Sequence, residues 1–253
     1  MSEETTIIWM DGVFDLTHYG HYNAIRQGLQ FGNRVLVGLH SDDEVEKNKG
    51  PPVLTQDERA ALVGACRWAD EVVCDAPYTT DLEFIKPYNV DYVVHGDDIS
   101  TDADGLDAYR HVKSSGLYRE CSRTRGVSTT DLISRLLSPH LRTTPLPDED
   151  SPAERELLLL FAADKRWKGK QWSHDGVTCV KGVERMEDKG GTVYVVGAWE
   201  VLGVEDVEYL KDLSQRFDNV VVGVEAGSEI YERTGSYPLL TLKERTLALL
   251  ALR

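Results

Sequence analysis

Four short apolar runs recur through the first hundred residues: Ile7-Ile8-Trp9-Met10, Val35-Leu36-Val37-Gly38-Leu39-His40, Val72-Val73 and Asp91-Tyr92-Val93-Val94. Their length and β-branched content read as buried strands. Between them the spacing turns helical: Ala24, Ile25 and Leu29, then Ala61, Leu62, Val63 and Ala65, then Asp81 to Tyr88. Strand–helix alternation over about 130 residues means an α/β fold whose parallel sheet is covered on both faces. In such a sheet the loops leaving the strand ends gather on one edge, where ligands bind. That edge would collect Met10-Asp11-Gly12-Val13-Phe14-Asp15-Leu16-Thr17-His18-Tyr19-Gly20-His21 and His95-Gly96-Asp97-Asp98.

A net charge of −15 argues against nucleic acid as a partner and against anionic membrane surfaces, so an anionic ligand needs locally clustered basic groups. No run of about 18 apolar residues could span a membrane, and the acidic start Met1-Ser2-Glu3-Glu4 is unlike a signal peptide. Cys66, Cys74, Cys121 and Cys179 lack paired spacing, which fits reduced thiols in the cytoplasm. The basic clusters are few. His18 and His21 sit three apart at a helix start, where a first turn puts both rings on one face. Lys47 and Lys49 fall in a segment, Lys47 to Pro52, that reads as a loop. Arg59 and Arg67 follow a capping box at Thr55-Gln56-Asp57-Glu58. Arg123, with Ser128, Thr129 and Thr130, precedes the helical pattern Leu132, Ile133, Leu136, Leu137, as a phosphate cradle of hydroxyls, backbone N–H groups and an arginine would.

His18-Tyr-Gly-His21 after Gly12-Val-Phe-Asp15 resembles the HxGH signature of the nucleotidyltransferase superfamily. Arg123-Thr-Arg-Gly-Val-Ser-Thr-Thr130, with Lys49-Gly50 and Glu58-Arg59 in order, resembles the cytidylyltransferases. The stretches Val93 to Asp98, Asp104 to Tyr109 and Gly116 to Cys121 are most similar to ethanolamine-phosphate cytidylyltransferases. The likeness runs unbroken from Ile7 to Leu137. It implies a Rossmann-like nucleotidyltransferase fold joining CTP and phosphoethanolamine into CDP-ethanolamine and pyrophosphate, a step of phospholipid synthesis in the cytoplasm or peripherally at the endoplasmic reticulum. It implies that His18 and His21 contact the triphosphate, Lys49 bridges the two anionic reactants, and Arg123 binds the β- and γ-phosphates. Gly126, Val127, Ser128 and Thr129 would add close donors. Asp11, Gly12, Val13, Phe14, His95, Gly96, Asp97 and Arg59 would line the nucleotide, and Arg67 the substrate region. The amino group of the acceptor wants a carboxylate, for which Asp98, or Asp97 beside it, is the choice, with Tyr78 adding a cation–π contact. Mg²⁺ is expected with the CTP phosphates rather than in a protein cage.

From Ser138 the texture changes to a proline-rich acidic linker (138–190) containing a helical pattern at Glu154 to Phe161. Then, from 191 to 253, the first segment (1–137) starts again. Gly197 follows Gly12, and Gly223 follows Gly38, by 185 positions (197 − 12), and Pro238-Leu-Leu-Thr-Leu-Lys-Glu-Arg245 echoes Pro52 to Arg59 at 186. A tandem copy of the fold is expected. In it His18 falls on Gly203, His21 on Asp206 and Lys49 on Thr234, and nothing answers His95 to Asp98 or Arg123 to Thr130. That copy is expected to be degenerate and silent, packing on the first as an internal pseudo-dimer or regulating it, with a homodimer as a further arrangement. Either the natural chain runs past Arg253 or its missing strands come from elsewhere. A choline- or glycerol-phosphate cytidylyltransferase, and a non-catalytic nucleotide-binding scaffold, are the competing readings.

Overall fold

The computed structural model describes residues 5–138, 142–145, 152–162 and 190–253. They fall into two compact units, Met1–Thr129 and Thr130–Arg253.

The first unit runs β1 (Ile7–Gly12), α1 (Tyr19–Gly28), β2 (Arg34–Leu39), α2 (Asp42–Lys49), α3 (Gln56–Gly64), β3 (Glu71–Val73), α4 (Leu82–Ile85), β4 (Tyr92–Gly96), α5 (Arg110–Ser115) and β5 (Tyr118–Cys121). Its five strands are all parallel in the order β3-β2-β1-β4-β5. Strand order reverses between β1 and β4, so the crevice at the switch point opens between the loops that follow those two strands. The alternating side chains of β1 and β2 are buried on both faces, as a covered parallel sheet requires. Trp9 is fully buried, with the rings of Phe84 and Tyr88 at 6.0 and 5.6 Å and Leu36 and Val93 in the same cluster.

The expected strands and helices are present, with two differences. Lys47 to Lys49, expected in a loop, form the last turn of α2. Ser41 caps that helix, Val45 anchors it, and Gly50, at φ 98°, ends it. Lys49 thus stands on a regular element. α5 and β5 escaped the pattern because Tyr-Arg-Glu-Cys is an edge strand with its middle left part-exposed, and α5 buries only Val112.

The second unit holds α6 (Thr129–Leu136), α7 (Pro152–Ala162), β6 (Thr192–Gly197), α8 (Val204–Arg216), β7 (Asn219–Val224), α9 (Gly227–Thr234) and α10 (Leu242–Leu250). The helix expected at 154–161 is α7, which buries Leu158 and Phe161. Arg135 ties α6 to this unit by pairing with Glu244 at 3.0 Å and donating to the Leu239 carbonyl. Most of the expected linker, with Cys179, lies outside the described residues. β6 and β7 are parallel, pairing Thr192 with Asn219 through Gly197 with Val224. Adding 185 to each partner of the β1–β2 ladder, Ile7 with Arg34 through Gly12 with Leu39, gives the same register.

The likeness extends to strained and buried groups. Phe14 (φ 55°) and Trp199 (φ 50°) occupy the same left-handed position after their strands. Arg59 and Arg245, each fully buried, aim their guanidiniums at matching carbonyls. Arg59 donates to Leu54 and Val13 at 3.2 and 2.6 Å, Arg245 to Leu240 and Ala198 at the same distances. No helix among the described residues is long and apolar enough to cross a membrane.

Candidate active site

His18 is the N-cap of α1. Its Nδ1 accepts the Gly20 N–H at 3.1 Å, and the Nδ1 of His21 accepts the His18 N–H at 3.3 Å, a capping box made with imidazoles. Each ring therefore carries its proton on Nε2 and offers an N–H donor away from the helix. The rings stack at 3.9 Å with Phe14 at 5.4 Å from His21. Burial, reinforced by the nearby charges of His18, Lys49 and Arg123, pushes the His21 pKa well below the usual 6.5. Here α2 and the second signature converge on the first.

The two signatures are fastened side by side. A Cβ on Gly20 would come within 2.8 Å of a Val127 methyl, so the glycine of the first is where the valine of the second packs. Asn23 Nδ2 donates to Thr124 Oγ1 at 2.9 Å. The Gln27 amide both donates to the Ser122 carbonyl (2.9 Å) and accepts its N–H (3.2 Å). Thr129 Oγ1 donates to the Asp15 carbonyl at 2.9 Å, and Gly126 turns the loop at φ 85°, a conformation open to glycine. Asp97 accepts the Arg123 backbone N–H at 2.9 Å and Asp98 pairs with its guanidinium at 3.2 Å.

Under this cradle lies a buried carboxylate. Asp11, 5% exposed, accepts from Trp9 Nε1 (3.0 Å) and Thr80 Oγ1 (2.7 Å) on Oδ2, and from the Tyr109 hydroxyl (2.6 Å) on Oδ1. Burial and the Asp11 charge raise the Tyr109 pKa well above 10, so that hydroxyl stays a donor. His95 lies on the Tyr109 ring at 4.3 Å and Lys49 Nζ is 5.9 Å from the centre of the Tyr78 ring.

The expected residues thus separate. His18, His21, Lys49, Arg123 and the loop Gly126 to Thr129 come together. Gly12, Val13, Phe14, His95, Gly96 and Asp97 border the same crevice at the ends of β1 and β4. Arg59 sits beneath it. Its donors are directed to the carbonyls of Val13, His40 and Leu54 and to Asp42, so it shapes the loop after β1. Arg67 is buried in the turn after α3 with its guanidinium over the Trp68 ring at 5.2 Å. Asp98, expected to take the amine, faces Arg123, and Tyr78 stands instead beside the His40 ring, with Lys49 over its own ring. Thr80 and Tyr109 were missed. The available signal was Asp11 itself, a carboxylate inside the apolar run Ile7 to Gly12, which has to recruit buried donors. Asp15 accepts the N–H groups of Leu16, Val53 and Leu54 and holds the loop that precedes α3.

Burial also holds His40 below 6.5. Both histidines take up a proton less readily in the fold than in the unfolded chain. Stability is therefore greatest above pH 6.5 and falls as the pH drops below it, each group contributing up to about 1.4 kcal/mol per pH unit. Thermal unfolding followed from pH 7.5 to 5.5 should show a falling midpoint, and a flat profile would contradict the burial of these rings as neutral groups.

In the second unit the Gly203 N–H, at the place of His18, donates to Asp206 Oδ2 at 2.9 Å. Asp206 makes the kind of backbone bond that His21 makes in α1, and it has no N–H donor to offer.

The Cytidylyltransferase-like family matches residues 9–135. Ethanolamine-phosphate cytidylyltransferase of Mus musculus is 36% identical over 97% of this chain and 68% of its own length. The probable ethanolamine-phosphate cytidylyltransferase of Schizosaccharomyces pombe is 38% identical over 96% and 68%. Choline-phosphate cytidylyltransferase 2 of Arabidopsis thaliana, at 39% identity, covers 65% of this chain and 55% of its own. Among solved structures, a lipopolysaccharide core biosynthesis protein of Thermoplasma volcanium has a TM-score of 0.39 at 19% identity over 48% of this chain, too weak a likeness to bear on the fold. With relatives of one kind aligned through both units, the chain belongs to the ethanolamine-phosphate cytidylyltransferase family.

Proposed function

We propose that this protein transfers the cytidylyl group of CTP to phosphoethanolamine, giving CDP-ethanolamine and pyrophosphate for phosphatidylethanolamine synthesis. A phosphate oxygen of the acceptor attacks the α-phosphorus in line, and the bond to the β-phosphate oxygen breaks. The nucleophile is already anionic at neutral pH, so no general base is required; rate comes from alignment and charge stabilisation. The Nε2–H groups of His18 and His21 donate to the triphosphate as negative charge moves toward the leaving group. Lys49 bridges the α-phosphate and the acceptor phosphate. Arg123, released from Asp98, takes the β- and γ-phosphates with the backbone and hydroxyls of Gly126 to Thr129. Mg²⁺ bound with CTP would supply further neutralisation of phosphate charge. Asp15, with three backbone donors on its carboxylate, has little left to offer the ion.

The observation that carries the acceptor is the buried Asp11. Its Oδ1 accepts one hydrogen bond, from the Tyr109 hydroxyl, and has capacity for another, and Tyr78 lies in the same buried cluster as Tyr109. That environment suits an ammonium group better than the exposed Asp98, already neutralised by Arg123. The amine is therefore assigned to Asp11 and Tyr78. Residues 1–137 carry the chemistry. After the 138–190 connection, residues 191–253 form a duplicate whose helix start carries Asp206 in place of a phosphate-binding imidazole, and it serves as scaffold or regulator.

Pyrophosphate release with CTP should be supported by phosphoethanolamine and at least tenfold less by phosphocholine or glycerol 3-phosphate. Equal use of phosphocholine would move the protein to the choline branch, and CTP binding without release with any acceptor would make it a nucleotide-binding scaffold.

A further inference from the structure

His40 follows β2 directly and is 3% exposed. Its backbone N–H donates to the Gly12 carbonyl at 3.2 Å, prolonging the β1–β2 ladder, and its carbonyl accepts from Arg59 at 2.9 Å. Its ring lies 5.0 Å from that of Tyr78. The Nδ1 atom is 3.0 Å from the Ala76 carbonyl. A carbonyl only accepts, so Nδ1 carries the proton and Nε2, in the neutral ring, presents a lone pair. Ala76 follows β3, on the outer side of β2. Across the β1–β2 ladder Asp11 pairs with Gly38, so His40, two residues on, extends from the same face of the sheet as Asp11. Burial, with the positive charges of Lys49 and Arg59, holds the ring's pKa below 6.5 against the opposing pull of Asp11, the largest charge acting on it. Among the described residues the Tyr78 hydroxyl, on a side chain 4% exposed, has no hydrogen-bond partner. Tyr78 packs in the same buried cluster as Trp9 and Tyr109, two residues whose side chains donate to Asp11.

We propose that His40 is a specificity residue: its Nε2 lone pair accepts an N–H of the acceptor's primary ammonium group, beside Asp11 Oδ1 and the Tyr78 hydroxyl. Three acceptors then meet three N–H donors. A trimethylammonium group has no N–H. It would place a methyl against the imidazole lone pair and leave both neutral acceptors unsatisfied, which penalises it without any steric block. The inference rests on the acceptor assignment above and adds to it the group that tells a primary amine from a methylated one.

The test compares phosphoethanolamine, its N-methyl derivative and phosphocholine at saturating CTP on wild type, His40→Asn and His40→Gln. Asparagine can keep the donor to Ala76 and has no atom at the Nε2 position; the glutamine carbonyl can reach it. His40→Asn should lower kcat/KM for phosphoethanolamine by about 10- to 100-fold and leave that for phosphocholine within about threefold, with CTP affinity retained. His40→Gln should recover most of the preference. In the wild-type protein, the ¹⁵N resonance of His40 Nε2 should shift on adding phosphoethanolamine and stay unmoved by phosphocholine, a readout that needs no variant to fold. An equal fall for both acceptors, or an unchanged ratio with CTP still bound, overturns the proposal. If the wild type itself does not favour phosphoethanolamine, the acceptor assignment fails, and this proposal fails with it.

Discussion

A His21→Asp variant should fold as well as the parent protein and release pyrophosphate about 10³-fold more slowly or worse. The second unit has a helix start capped in the same way by a carboxylate. Asp206 accepts the Gly203 N–H at 2.9 Å, as His21 accepts that of His18, so a carboxylate serves the helix start equally well. In the first unit it would remove one Nε2–H donor and set a negative charge where the triphosphate must lie. Loss of a single preorganised donor costs about 10²–10³ in rate, and like-charge repulsion adds to it. Thermal unfolding should move by less than the equivalent of about 1 kcal/mol, while single-turnover kinetics should locate the loss in the chemical step. Near-normal turnover would remove His21 from the mechanism.

Arg59→Met should be the most damaging single change to the fold of the first unit, at about 3–5 kcal/mol, or roughly 10 °C in unfolding midpoint. Its side chain is fully buried and donates to three carbonyls and to Asp42 at 2.6–3.2 Å, distances spread over four acceptors that methionine cannot satisfy. Lysine cannot replace it, because a compact ammonium does not span a fork of that width. The loop carrying Val13 and Phe14 should loosen as well, weakening CTP binding in any fraction that folds. Urea titration checks the first effect and calorimetric CTP binding the second; a shift under about 1 kcal/mol would mean that water takes over the exposed carbonyls.

Much of this was legible in the chain. The strand runs were readable because β1, β2 and β4 are buried on both faces, so each is apolar nearly throughout. The two signatures could be placed on one edge because strand ends and helix starts have fixed positions in a parallel sheet. Edge strand β5 left no such trace, its outward residues being polar. The partition of charged residues was harder. Asp11, Asp97 and Asp98 are alike in sequence, and only the fold shows that one is enclosed by Trp9, Thr80 and Tyr109 while the others restrain Arg123. Arg59 and Arg123 differ in the same way: one arginine faces carbonyls within the protein, the other faces the crevice. Long-range pairing set these roles, and spacing along the chain carries little of it.

The Gln27–Ser122 pair has a further bearing on how the cradle behaves over time. Gln27 uses its side chain as if it were a peptide group, adding one rung between a helix and a loop 95 positions away. With the Asn23–Thr124 bond, that rung belongs to neither the sheet ladder nor a helix. The Arg123 loop is thus held by a few side-chain contacts of modest strength, on top of a sheet whose opening would require global unfolding. Opening that loop would break only those contacts and leave the strand pairing untouched, so exposing the cradle costs less than opening the sheet.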